Sequence, residues 1–204
     1  RHIWKWLIVA LAIPGAIQAQ SGSIDPAFAI GTGSGNRIFA MAQHPDGMHI
    51  IGGSFTTYNG TTINRLARIT RTGGLDATFT PGTGPDGQVT AIALDQTGRI
   101  LIGGTFVNYN GVSRSGVARL NTDGTLDATF TTGTGITGGV VNALAIQSDG
   151  RIIVAGTFTG YNGSTANRVV RLETNGAIDA TFSVGTGPNA AVYALALDAS
   201  GRAV

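Results

Sequence analysis

The phrase "LDATFTPGTG" at residues 75–84 returns as "LDATFTTGTG" at 126–135 and "IDATFSVGTG" at 178–187, with a looser copy, "IDPAFAIGTG", at 24–33. Its aspartate falls at Asp25, Asp76, Asp127 and Asp179, in steps of 51, 51 and 52 residues. A period of that length constrains the fold more than any local pattern, because a unit too small to bury its own apolar face must stack on its copies. The extra residue of the last step lies in "GITGGVV" (135–141), a Gly-rich connection where added length costs little.

Each period holds four short strand-like runs. In the second copy "VTAIAL" (89–94) alternates, Thr97-Gly98 turns, and "RILIGGTF" (99–106) follows. A loop carrying "YNG" (109–111) leads to "GVARLN" (116–121), Asp123-Gly124 turns, and "TLDATFT" (125–131) closes the unit. Asp46-Gly47, Asp149-Gly150 and Ser200-Gly201 occupy the place of Thr97-Gly98. Pairs of this kind tolerate the positive φ of tight hairpins, so the runs they join should be antiparallel neighbours. No window after Ala19 offers ten or more residues with a helical apolar stripe, and helices are not expected.

A period of two sets Val89, Ala91 and Ala93 on one face of the first run and Thr90, Ile92 and Leu94 on the other, and residues 141–146 and 192–197 repeat the division. Both faces are apolar, as expected where the large face of one copy packs on the small face of the next. These features predict an all-β chain, a β-propeller of four-stranded antiparallel blades. The competing β-sandwich would more often leave one face of each sheet polar. Blades are expected at about 38–80, 89–131 and 141–183, after an outer strand at 23–30 and before the start of another blade at 192–204. Together they would form a partial propeller over 20–204, since closure takes roughly four to eight blades. The missing initiator Met and the stop at "GRAV" support the same expectation, a fragment of a longer protein with further domains.

Residues 1–19 stand apart. Arg1, His2 and Lys5 precede an apolar run from Trp6 to Ile13, then Pro14 and a small-residue end at Ala16 to Ala19, the order of a secretory signal peptide. The run is shorter than the roughly 18–20 residues a spanning helix needs, so no membrane span is expected in the mature chain. No Cys is present, which excludes a lipid-attachment cysteine and a disulfide framework. Arg1 and Lys5 also account for the net charge of +2; the remaining 11 Arg balance 11 Asp and Glu without a basic stripe, which disfavours nucleic acid as a partner.

An arginine precedes each repeated aspartate by eight residues: Arg68 and Asp76, Arg119 and Asp127, Arg171 and Asp179. Structural ion pairs across the hairpin fit that spacing better than a charged-ligand site, which is seldom needed in every blade. In "DATF" the aspartate is placed to cap backbone N–H groups and the phenylalanine to fill the seam between blades. The candidate binding residues lie in the loops: Tyr58, Asn59, Tyr109, Asn110, Tyr161 and Asn162 would present a ring of aromatic and amide groups suited to stacking on sugars. The competing reading has the tyrosines packed back on the blade edge, with Asn-Gly supplying the turn.

Catalytic groups are scarce. After Ala19 the chain has one Glu, Glu173, and neither Lys nor Cys, which removes thiol and Schiff-base chemistry. His44 and His49 flank the turn "HPDGMH" in one copy only, with no third ligand nearby, so no metal site is expected. The Asp-Gly pairs do not form a D-x-D-x-D-G calcium loop. "GTGSG" and "GTGPDG" have no following Lys, so no nucleotide and no other cofactor is expected.

Residues 91–135, "AIALDQTGRILIGGTFVNYNGVSRSGVARLNTDGTLDATFTTGTG", carry a pattern that resembles the delta-60 repeat family, a bacterial extracellular repeat held to form β-propellers. The resemblance extends from Ser21 to Val204. It implies a secreted or surface-attached module of a larger bacterial protein and brings no ligand, reaction or catalytic residue. In that setting the sequons "NGT" (59–61) and "NGS" (162–164) are without consequence. The expected function is a non-enzymatic binding or scaffold module, with adhesion as one role and an extracellular glycan or protein as partner. A polysaccharide-active enzyme with its site at the propeller channel and a purely structural spacer are the alternatives; near-identical blades weigh against the enzyme.

Overall fold

A computed structural model describes residues 27–203. The expected signal segment, residues 23–26 of the expected outer strand, and Val204 lie outside the described residues. All regular structure is β, in three similar units.

The first unit contains β1 (Ile38–Gln43), β2 (His49–Gly53), β3 (Thr57–Tyr58), β4 (Thr61–Thr62) and β5 (Leu66–Ile69). The second contains β6 (Val89–Leu94), β7 (Ile100–Gly104), β8 (Asn108–Tyr109), β9 (Val112–Ser113) and β10 (Val117–Leu120). The connecting strand β11 (Ile136–Thr137) leads to β12 (Val141–Ile146), β13 (Ile152–Gly156), β14 (Gly160–Tyr161), β15 (Ser164–Thr165) and β16 (Val169–Leu172). Each blade is an antiparallel meander in the order β1-β2-β5, β6-β7-β10 and β12-β13-β16. The fourth run joins its sheet through one bridge: Ile69 with Leu75, Leu120 with Leu126, Leu172 with Ile178. After that bridge the "DATF" corner leaves the blade.

The "YNG" loops are small hairpins, β3–β4, β8–β9 and β14–β15. Asn110 (φ 47°) and Gly111 (φ 77°) both hold left-handed backbone, as the two-residue turn with the twist of its flanking strands requires, and the other two copies do the same. The extra residue of the third step is absorbed by β11, which pairs with β14 as a third strand on that hairpin.

Strict alternation along the first strand does not hold. The register of β6 on β7 shifts between Val89 and Ala91, and that of β12 on β13 between Val141 and Ala143. This bulge turns Val89 to the side of Ile92: both side chains reach Gly52 of the preceding blade, where an added Cβ would stand 2.5 Å from Val89 Cγ1 and 3.0 Å from Ile92 Cδ1. Gly103 receives Val141 and Leu144 in the same way. The face division expected from period two is therefore corrected at its first position, because a bulge inserts one unpaired residue and inverts the alternation behind it. The bulged residues tie neighbouring blades. Thr90 Oγ1 donates to the Val141 carbonyl at 2.5 Å, and Asn142 Nδ2 to the Val192 carbonyl at 2.9 Å.

Two of the three buried clusters among the described residues are seams between blades; the third, Ile51, Phe55, Tyr58, Ala67 and Ile69, lies within the first blade. One cluster joins Ile50 and Leu66 of the first blade to Val89, Ile100 and Phe106 of the second, with Phe79 between them. Another joins Leu101 and Val117 to Val141, Val154 and Phe158, with Phe130 between them. Burying a side chain of this size stabilises by roughly 1.5–3 kcal/mol, so most of the apolar stabilisation couples one repeat to the next. Ile38 and Met41, at the places of Val89 and Ile92, are exposed, since no described blade lies before β1.

Candidate functional site

Antiparallel order brings the turn after the first strand and the turn after the third strand to one end of each blade, here called the turn face. Most of the charged side chains gather there. Arg68 Nε donates to Asp76 Oδ2 at 2.5 Å, Arg119 Nε to Asp127 Oδ2 at 2.8 Å, and Arg171 Nε to Asp179 Oδ2 at 2.7 Å. The second nitrogen of the fork crosses the seam: Arg68 Nη1 donates to the Thr122 carbonyl and Arg119 Nη1 to the Thr174 carbonyl, each in the next blade's turn. In the third blade Arg171 Nη1 is instead 3.5 Å from Gln147 Oε1. The guanidinium carbons lie 5.4, 4.8 and 4.7 Å from the ring centroids of Phe79, Phe130 and Phe182.

The other aspartate oxygen explains the threonine of "DATF". Asp127 Oδ1 accepts from the Thr129 N–H at 2.9 Å and its hydroxyl at 2.7 Å, and Asp76 and Asp179 repeat both bonds with Thr78 and Thr181. Burial opposes ionisation of Asp76 and Asp127, but the hydrogen bonds from threonine and arginine outweigh it and hold both carboxyls below 3.8. Asp179 is held at about 2, by the Thr181 hydroxyl first and then by the Thr181 N–H and Arg171. These groups have a folded-state pKa below the unfolded one, so their stabilisation is complete above the unfolded value and is lost as pH falls through the folded one. Stability should thus be level above about pH 5 and drop steeply between about pH 4 and 2, read as a falling urea midpoint. A midpoint unchanged down to pH 2 would contradict the carboxylate corner.

The candidate binding residues are placed differently from the open ring of stacking groups. Tyr58, Tyr109 and Tyr161 are 2, 1 and 0 % exposed. Their hydroxyls donate to the carbonyls of Gly73, Gly124 and Gly176 at 2.7, 2.6 and 2.7 Å. Stacking on a sugar needs an open ring face, and burial removes it. Asn59, Asn110 and Asn162 are exposed, yet their Oδ1 atoms accept from the N–H groups of Thr32, Thr83 and Thr134 in the preceding "GTG". The motif therefore clamps each linker to the next hairpin. Tyr109→Phe leaves the Gly124 carbonyl without its buried donor and should cost about 1–3 kcal/mol in chemical unfolding. A variant as stable as the parent would show that water replaces the phenol.

The turn face offers another recess. A cleft of about 200 Å³ opens between the second and third blades. Its rim carries Gln96, Thr97 and Arg99 from one turn and Gln147, Ser148 and Asp149 from the next, over a floor of Leu101, Ile146 and Ile152. One position governs the seams, occupied in successive repeats by His44, Asp95, Gln147 and Asp198. At the first seam the imidazole lies across the gap, so that a Cβ on Gly98 would stand 2.7 Å from His44 Nε2. His44 Nδ1 is 2.9 Å from Asp46 Oδ2. At the second seam Asp95 turns back on its own hairpin, accepting from Thr97 N–H and hydroxyl and from Arg99 Nε at 2.7 Å, and the gap stays open. At the third position Gln147 Nε2 spans to the Gly201 carbonyl at 2.6 Å. Sequence reasoning missed this cleft, although the unlike residues at one repeat position were its signal.

Among the described residues no group of three or more His, Cys, Asp or Glu is arranged to hold a metal ion, and no helix is long and apolar enough to cross a membrane. Asp76, Asp127 and Asp179 each face arginine rather than one another.

Three copies of one antiparallel sheet, stacked face to face through apolar seams and joined by inter-blade corners, define a repeat-built β-propeller, incomplete over the described residues. The model of the domain of unknown function DUF5122, a β-propeller family, matches residues 44–79, 96–130 and 147–182, just over half of the chain. The chain belongs to that family. No curated protein matches it.

Proposed function

We propose that the chain is a non-enzymatic binding or scaffold module of an extracellular bacterial protein, of the delta-60 kind, serving in adhesion. The observation that carries this reading is the division of labour on the turn face. The arginine, aspartate and threonine present in every blade are spent on the corner and on the bond to the next blade's turn, whereas the second seam, with Asp95 where the first has His44, stands open. The cleft is better suited to holding a ligand than to turning one over. A general acid at neutral pH needs a raised pKa. For Asp95, burial pushes upward, but hydrogen bonds from Thr97 and Arg99 outweigh it and hold the carboxyl below its ordinary value. Secretion rests on the basic, apolar and small order of residues 1–19.

The test is a panel of bacterial and host-surface glycans and proteins, immobilised and probed with the full chain, with a parallel assay for new reducing ends. Retention without product formation is the expected result. Product formation, or no retention on any surface, overturns the reading.

A further inference from the structure

We propose that the cleft between the second and third blades holds one neutral pyranose ring, a single sugar residue of a glycan; this deepens the binding-module reading and rests on it. Charge is the first reason. Arg99 is committed to Asp95 at 2.7 Å and lies 3.5 Å from Asp127, and Arg119 is committed to Asp127 and the Thr174 carbonyl. No guanidinium is left over for an anion. Asp149 is half exposed on the rim and 3.4 Å from Arg151, so no isolated carboxylate invites a cation. The site selects a ligand without formal charge.

The distribution of polar groups is the second reason. The amide of Gln96 and the hydroxyl of Ser148 stand on the rim, each able to donate and accept, beside the Thr97 hydroxyl, which donates to Asp95 and keeps its lone pairs for a further donor. Gln96 Nε2 reaches the Ser148 carbonyl at 3.3 Å, a long bond that a ligand hydroxyl can replace. Leu101, fully buried, forms the floor with Ile146 and Ile152. A saturated ring with hydroxyls on its perimeter and C–H groups on its faces matches that arrangement. Size is the third reason: about 200 Å³ is below the roughly 300–1,000 Å³ of pockets for larger ligands. The cleft takes one ring.

The first seam supplies an internal control, since the same recess is filled there by His44. Asp95→His should carry the imidazole into the second seam and close it. Saturation-transfer NMR is run on the full chain with four probes: the methyl glycosides of glucose, galactose, mannose and N-acetylglucosamine. At least one should receive saturation from the parent protein. The signal should be lost in Asp95→His and weakened about tenfold in affinity by Gln96→Ala, which removes a rim amide without filling the cleft. Unchanged thermal unfolding of Gln96→Ala separates loss of the site from loss of the fold. No transfer to any of the four overturns the pyranose assignment, and so does transfer that both variants leave intact. Glycan or protein retention by the parent in either case leaves the binding module standing with its ligand elsewhere.

Discussion

Asp127→Ala should lower unfolding stability by about 3–5 kcal/mol, the loss expected when one member of a buried ion pair is removed and the other stays behind. Asp127 and Arg119 are 5 and 6 % exposed. Without the carboxylate, Arg119 keeps only the Thr174 carbonyl, the Thr129 hydroxyl and the face of Phe130. The Thr129 N–H loses its acceptor, and Arg99 loses its 3.5 Å contact across the blade. Much of the cost is therefore an uncompensated cation in a dry corner. The double variant Arg119→Met, Asp127→Leu removes both charges and should recover a large part of the loss. Urea midpoints of the parent, the single and the double variant decide it. A single variant within about 1 kcal/mol of the parent would mean that water already reaches the corner.

Phe130→Ala is expected to cost about 3–5 kcal/mol, by the cavity it leaves and the packing it removes. The ring is fully buried in the cluster shared by the second and third blades, although the residue belongs to the second repeat. It also carries the Arg119 guanidinium at 4.8 Å and touches the turn at Gly176, where an added Cβ would meet it at 3.2 Å. Blade coupling should suffer more than blade structure. A repeat protein holds together through such interfaces, so unfolding should broaden or split into two transitions. A single sharp transition with a small shift would place the coupling in the bulge bonds of Thr90 and Asn142 instead.

The corner explains why the chain repeats "DATF" and "GTG". One carboxylate oxygen organises the threonine, the other orients the arginine, and the phenylalanine enters the next seam. In "GTG" the threonine N–H meets the asparagine of the following hairpin. The leading copy behaves alike where it is described, for the Ala29 N–H donates to the Thr72 carbonyl as the Thr80 N–H does to Asp123 and the Thr131 N–H to Asn175. Removing one asparagine should therefore loosen a linker rather than empty a binding site.

The strand period, the hairpin turns and the coverage of both sheet faces were legible because they depend on local φ preferences and on side-chain alternation, both written residue by residue. The spacing of arginine and aspartate could likewise be read, since eight residues around a tight turn fix their reach. Packing of the tyrosines back on the blade could be read as the alternative to a binding ring, but reversal of Val89 by the bulge and opening of the second seam could not be read. Neither could the left-handed backbone of Arg65 and Arg168, with φ of 62° and 65°, at the place Gly116 takes in the second repeat. Each arginine there donates to a linker carbonyl about twenty residues on, Pro85 or Pro188. By itself the sequence determined a stack of like sheets, since a repeated local pattern dictates a repeated local structure. Only the tertiary structure decided which side chains fill the seams and which leave one open, because that depends on the gap between two surfaces and not on either surface alone.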